Sequence, residues 1–254
     1  MYGWRGRIGL LVPTGNAVME PEFQQMAPEG IVTLANRVEL KDVTPASLRA
    51  MEGDVARAAR QIAQSRVGVI AFGCTSGSFV DGPGHDERLV RLIEAETGIP
   101  ATTTTTAVVR ALTAVGVRRI ALATPYTDEV TRLEVAFLEA SGFEVTAWQG
   151  GGIVETADIQ VCPPEASYRR ARAVDSDRAE AVFISCTGFR TIENISKLES
   201  DLGKPVVTSN QATFADCLHL LGVGDARSGF GSLFGRLHDW QRTCAETKAA
   251  IAST

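Results

Sequence analysis

Two cysteines sit in matching surroundings, Cys74 in VIAFGCTSG and Cys186 in AVFISCTGF, 112 residues apart. Each closes an apolar, β-branched run and is followed by threonine and small residues. A thiolate can take a proton from carbon and a thiol can return one. Two thiols facing one molecule from opposite sides can therefore invert or isomerise a carbon centre. That chemistry asks for one thiol with a lowered pKa, as a helix N-terminus can provide. The alternative for a free cysteine is a small buried hydrophobe, and the matched positions argue against it here. The turns that follow, Thr75-Ser76-Gly77-Ser78 and Thr187-Gly188, offer hydroxyls and backbone amides to carboxylate or phosphate oxygens. Taken alone, such turns are also ordinary helix caps. Asn16 in VPTGN, Tyr126 in ATPYT and Asn210 in VVTSNQA stand at further strand ends. There an amide or a phenol can hold a carboxylate without competing as a base. Glu20 and Glu22 read as solvated acids. Arg190 is either a partner for a second carboxylate or a surface arginine opening a helix.

The elements that must position these residues follow from the hydrophobic pattern. Arg7–Val12, Val67–Phe72, Arg119–Thr124, Ala181–Ser185 and Pro205–Thr208 are continuous apolar runs, the signature of strands buried on both faces of a parallel sheet. Between them, apolar residues recur at helical spacing: Leu48, Met51, Val55, Ala59 and Ile62; Val108, Leu112 and Val115; Val130, Leu133 and Phe137; Ile192, Ile195 and Leu198. Gly98, Gly116, Gly142 and Gly203 stand where such helices would stop. Thr102–Thr106 bridges a strand end and a helix start. Alternating strands and helices predict an α/β fold.

The chain also repeats itself. RIGLLVPTG from Arg7 matches RIALATPYT from Arg119 at the offset that relates the cysteines, and GIPATTTTTAVV from Gly98 matches GKPVVTSNQATF from Gly203 at an offset of 105. The first half thus holds an extra segment, assigned to DGPGHD at Asp81–Asp86, a candidate lid. The reading is two pseudo-symmetric Rossmann-like halves with parallel sheets, residues 1–112 and 113–225, and a C-terminal segment, 226–254. The last helix and that segment are expected to pack back onto the first half. Ligands bind at the carboxyl ends of parallel strands, which places the site in the cleft between the halves.

Composition narrows the possibilities. A chain of 254 residues with 44% hydrophobic residues buries a sizeable core. A net charge of −5 argues against wrapping nucleic acid. No apolar run approaches the ~20 residues of a membrane span, and the N-terminus lacks the pattern of a signal peptide. Five cysteines are too few and too odd for a disulfide framework, so a cytoplasmic protein with reduced thiols is expected. His85, His219 and His238 share no ligand spacing, and there is no CxxC or HExxH, so no metal is expected. Cys162 before two prolines, Cys217 on a helix and Cys244 in the tail have no duplicates and read as structural. Neither GxGxxG nor GxxxxGK[ST] occurs, leaving nucleotide binding with fold analogy only.

The paired Cys-Thr turns, VPTGNAVME and ATPYT resemble the aspartate/glutamate racemase superfamily, in its branch of maleate cis–trans isomerases, arylmalonate decarboxylases and ectoine-utilisation isomerase-like proteins. The resemblance runs from Arg7 to about Phe234. ANRVELKDVTPASLRAM, AVFISCTGFRT and GKPVVTSNQA are most similar to the ectoine-utilisation group, and GVRRIALATPYTDEV and GFGSLF to the decarboxylases. It implies a cofactor-independent enzyme, a homodimer or homotetramer, with Cys74 and Cys186 as acid/base cysteines. Thr75, Ser76 and Tyr126 match the decarboxylases' carboxylate-holding residues, and Asn16 a substrate-binding asparagine of the maleate isomerases. Two departures stand out. The decarboxylases have glycine where this chain has Cys74, and maleate isomerases do not typically read Cys-Thr-Ser-Gly-Ser at the first cysteine. The expectation is therefore an isomerase or racemase of a small carboxylic acid. A decarboxylase using Cys186 as proton donor is the runner-up, and a binding or sensing protein without turnover is a third class.

Overall fold

The computed structural model describes residues 1–226 and 228–237. In chain order the elements are β1 (Gly6–Pro13), α1 (Met19–Met26), β2 (Ile31–Val38), α2 (Pro45–Ala63), β3 (Val69–Phe72), α3 (Thr75–Phe79), α4 (His85–Thr97), β4 (Ala101–Thr103) and α5 (Thr104–Val115). The second set is β5 (Arg119–Ala123), α6 (Asp128–Ala140), β6 (Glu144–Gln149), α7 (Thr156–Gln160), α8 (Pro164–Val174), β7 (Ala181–Ile184), α9 (Ile195–Leu202), β8 (Val206–Thr208) and α10 (Ser209–Leu220). Two parallel four-stranded sheets result, ordered β2-β1-β3-β4 and β6-β5-β7-β8. This is the α/β architecture of paired parallel sheets expected from the repeat.

Local chemistry explains the boundaries. Ile8–Pro13 in β1 and all of β3 and β7 are buried, which is why they read as unbroken apolar runs. Thr44 caps α2 by accepting from the Ser47 amide, with Pro45 opening the helix, and Leu48, Met51, Val55, Ala59 and Ile62 form its buried face. Gly98 and Gly203 end α4 and α9 at φ +68° and +65°, a conformation glycine adopts without strain. The apolar runs did not mark β2 and β6, which are edge strands with mostly half-buried residues. β4, three residues long, is the strand that ends in the threonine run, and α5 begins at Thr104.

In each sheet the chain moves outward from the first strand and then crosses to its other side. The strand order therefore reverses between β1 and β3, and between β5 and β7. Crevices at such reversals, beyond the strands' carboxyl ends, are where parallel sheets bind ligands. Asn16 follows β1 and Cys74 follows β3; Tyr126 follows β5 and Cys186 follows β7.

The two sheets are tied together by α5 and α10, which pack on each other. The Thr213 hydroxyl donates to Thr104 Oγ1 (3.2 Å), and buried Asp216 accepts from Thr102 (2.6 Å) and Arg110 (2.7 Å). Phe214 of α10 meets Phe23 of α1 edge-on, with ring centroids 5.1 Å apart. Among the described residues no helix is long and apolar enough to cross a membrane. His238, Cys244 and most of the expected C-terminal segment lie outside the described residues.

Candidate active site

Cys74 and Cys186 line one cleft, with a cavity of about 30 Å³ between the strand ends of the two sheets. Asn16, Thr75, Ser76, Tyr126, Thr187 and Gly188 line it with them, as do Pro13, Leu40, Val43 and Ile159. Asn210 is the predicted residue that does not line the cleft. It is fully buried behind it, donating to the Thr187 carbonyl (3.1 Å) and to Glu22 Oε2 (2.7 Å). Position 210 is the second residue of α10, and its side chain points at the back of the Cys186 turn instead of at a ligand.

The Cys74 turn is built by its own short helix. Cys74 is the N-cap of α3, its sulfur accepting from the Gly77 amide (3.4 Å), and the Ser78 hydroxyl donates to the Cys74 carbonyl (2.7 Å). A Cβ at position 77 would overlap the Met51 methyl and lie 3.1 Å from the Cys74 sulfur, so the glycine keeps the thiol in place. The Cys186 turn is different. Cys186 has φ +95°, a costly conformation for a non-glycine residue that survives only where its surroundings over-determine it.

Those surroundings are polar, and many belong to the other half. The Cys186 amide donates to Ser209 Oγ (3.0 Å), which also accepts from the Thr75 hydroxyl (3.0 Å). The Thr187 hydroxyl donates to the Gly73 carbonyl (3.0 Å) and accepts from Asn16 Nδ2 (3.0 Å). Asn16 Oδ1 meanwhile accepts from the Val18 and Met19 amides at the start of α1. The two cysteine turns are thus one hydrogen-bonded unit.

Burial sets the thiols' acidity, against the expectation of a lowered pKa. Loss of solvent pushes Cys74 up to about 11, while the Gly77 amide and Ser76 hydroxyl pull the other way. Burial likewise pushes Cys186 up to about 12, opposed by hydrogen bonds from the Tyr126 hydroxyl and the Gly188 amide. The helix N-terminus at Cys74 acts in the expected direction, but desolvation outweighs it.

Two functional candidates escaped the sequence reading. Glu22 is not a solvated acid: it is 3% exposed, with burial raising its pKa to about 7. It accepts from the Thr191 and Ile192 amides (2.8 and 3.3 Å) and from Asn210. Glu134 is 1% exposed, raised by burial to about 8, and accepts from the Ser185 hydroxyl (2.6 Å). The available signal was the repeat itself, since these two glutamates are also 112 residues apart. Glu20 does sit near the surface, paired with Arg37.

Other expectations resolve simply. Arg190 is exposed, pairs with Glu193 and does not line the cleft, so it is a surface arginine. The Asp81–Asp86 loop does not line the cleft either; Asp81 pairs with Arg49 (2.7 Å), and His85 bonds the Gly77 carbonyl (2.9 Å) beneath α3. Glu52, Asp81 and His85 come within 4.8 Å of one another, but Arg49 and Arg88 already meet their charges. Segments of both halves meet beside the cleft instead. The Val43 amide donates to Val154 O (2.8 Å) and the Thr156 amide to Lys41 O (3.3 Å), and Leu40, Val43 and Ile159 line the cleft. Cys217 is buried in α10, and Cys162 follows α7 with its thiol donating to Asp158 O (3.4 Å).

The arylmalonate decarboxylase family model matches residues 8–234. The chain belongs to the arylmalonate decarboxylase family. An arylmalonate decarboxylase from Bordetella bronchiseptica is 35% identical over 239 residues, covering 89% of this chain and 95% of that protein. A maleate isomerase from Pseudomonas putida KT2440 is 28% identical over 240 residues, covering 89% and 96%. Among solved structures, a cysteine-to-serine mutant of the Nocardia farcinica maleate cis-trans isomerase with a covalently bound succinylcysteine intermediate has a TM-score of 0.86 at 25% identity, covering 90% of this chain and 98% of its own. Family members of both kinds, lyase and isomerase, therefore share this architecture over nearly their whole length. They also lie within the broader racemase-like branch that the motifs suggested.

Proposed function

We propose that this chain is a cofactor-independent isomerase or racemase of a small carboxylic acid, with Cys74 and Cys186 as its acid and base. The observation that carries the reading is that both thiols, one from each half, line a single cleft. Residues 1–112 and 113–225 would supply one wall each. Among the described residues, the cleft lining contains no lysine or arginine. A carboxylate would be held by neutral donors, the Thr75 and Ser76 hydroxyls, the Tyr126 hydroxyl and turn amides, which also stabilise negative charge as it moves onto the carboxylate oxygens. Pro13, Leu40, Val43 and Ile159 form an apolar counterpart. This polarity favours a substrate with one carboxylate and an apolar substituent over a dicarboxylate.

In the racemase form, one cysteine, as thiolate, removes the α-proton and becomes a thiol. The other thiol protonates the opposite face and becomes the thiolate, so the enzyme ends in the mirrored protonation state. With both thiols pushed up by burial, the reactive thiolate is scarce at neutral pH. Substrate binding must therefore bring its own stabilisation of the transition state. In the cis–trans form, the Cys74 thiolate adds to a double bond while the Cys186 thiol protonates the adjacent carbon, rotation about the resulting single bond follows, and Cys186 takes the proton back as the C–S bond breaks and the double bond re-forms. The covalent succinylcysteine of the Nocardia relative supports that chemistry for this architecture. The second reading is an arylmalonate-type decarboxylase in which Cys186 protonates the enolate left by loss of carbon dioxide. The 35% identity to a decarboxylase supports it.

The test is a panel of single-enantiomer α-substituted acids, maleate and arylmalonates, followed by NMR and chiral chromatography in deuterium oxide. Inversion with deuterium uptake at the α-carbon is the expected result. Carbon dioxide release from the malonates without inversion of any acid would give the decarboxylase reading. No exchange and no turnover across the panel would leave a binding protein.

A further inference from the structure

The buried glutamates share the cysteines' repeat offset, yet their hydrogen bonds do not repeat. Glu134 on α6 accepts from Ser185, the residue before Cys186. The repeat equivalent of Ser185 is Gly73, which has no side chain, so Glu22 on α1 lacks the corresponding hydroxyl. Its carboxylate reaches into the other half, to the Thr191 and Ile192 amides and to Asn210, whose amide group also holds the Thr187 carbonyl. Both carboxyls therefore act on the same loop, Glu134 at its start and Glu22 at its far end. The Cys74 turn receives neither and relies on α3.

We propose that Glu22 and Glu134 are positioning residues that clamp the Cys186 turn from both ends and hold Cys186 in its positive-φ conformation beneath the Tyr126 hydroxyl. The clamp has a reason to exist. A non-glycine residue at φ +95° relaxes unless flanking groups fix it, and residues 185, 187, 191 and 192 are all fixed through these two carboxyls or through Asn210. Glu134 Oε2 is buried and has no hydrogen-bond partner among the described residues, so the carboxyl is kept there at a cost that mere packing would not require. The duplication supplied a glutamate to each half, and the Gly73/Ser185 difference turned both toward one cysteine.

The assignment deepens the reading of Cys186 as a site thiol, but its test needs no turnover. Iodoacetamide labelling of the full chain, followed by mass spectrometry of the Cys74 and Cys186 peptides, gives the ratio of the two rates within one molecule. In Glu22→Gln and in Glu134→Gln the ratio should shift toward Cys186 by about threefold or more, as the released turn exposes the thiol. Glutamine at 22 must place an NH2 against donors, and glutamine at 134 puts an NH2 at the buried Oε2 position, which has no hydrogen-bond partner among the described residues. Ser185→Ala breaks the Glu134 bond from its other side and should shift the ratio the same way, which covers the case in which a glutamate variant does not fold. A ratio unchanged in all three, or equal acceleration at both cysteines, would overturn the clamp. Absence of activity in the wild-type enzyme would overturn the proposed reaction and leave this ratio untouched.

Discussion

Cys74 and Cys186 show how far burial can override a favourable local field. Each sulfur has a backbone amide aimed at it, and each is nevertheless pushed up, because removing water from a thiolate costs more than one or two hydrogen bonds return. Tyr126 is the side chain that most opposes this at Cys186. Tyr126→Phe should therefore move the alkylation pH profile of Cys186 further to the alkaline side and leave that of Cys74 nearly in place. A coincident shift of both profiles would contradict the pairing. Most lining residues were legible from the sequence because the repeat marked them: Cys74 with Cys186, Thr75 with Thr187, Asn16 and Tyr126 at matched strand ends. Glu22 was misread, Asn210 sits behind the cleft and Glu134 was passed over, for one shared reason. A polar residue in a helix looks the same in sequence whether it faces water, a ligand or the back of a neighbouring loop, and only packing decides.

The elements divide in the same way. Strands buried on both faces announce themselves as apolar runs, whereas β2 and β6, at sheet edges with half-exposed residues such as Thr33 and Thr146, carry no such contrast. The α6 segment reads as amphipathic and the acids of α1 as solvated, but each helix turns a glutamate inward. This has a measurable consequence. In the unfolded chain these carboxyls lose their protons near 4.5, and in the folded chain only at about 7 and about 8. The folded state thus retains protons that the unfolded state has released. The stability they contribute is full below the unfolded value and is lost as pH rises through the folded ones. Thermal unfolding of the wild type should show a midpoint falling between about pH 5 and about pH 8. Glu134→Gln, which cannot titrate, should flatten that fall. Parallel curves for the two proteins would show that Glu134 does not hold its proton on folding.

At the scale of the molecule, two sheets of like strand order provide two strand-end crevices, and α5 packs on α10 between them. Neither half holds a complete site, since Thr75 bonds Ser209, Asn16 bonds Thr187, and Glu22 reaches Thr191 and Asn210 across the boundary. The symmetry is broken at the two thiols, Cys74 capping a short helix and Cys186 standing in a loop at positive φ. The two-thiol mechanism makes its most direct demand on single-cysteine variants. Cys74→Ser and Cys186→Ser should each abolish interconversion of enantiomers or isomers, while one of them retains deuterium exchange without inversion, on a single face of the substrate. Full interconversion by either variant would contradict the mechanism.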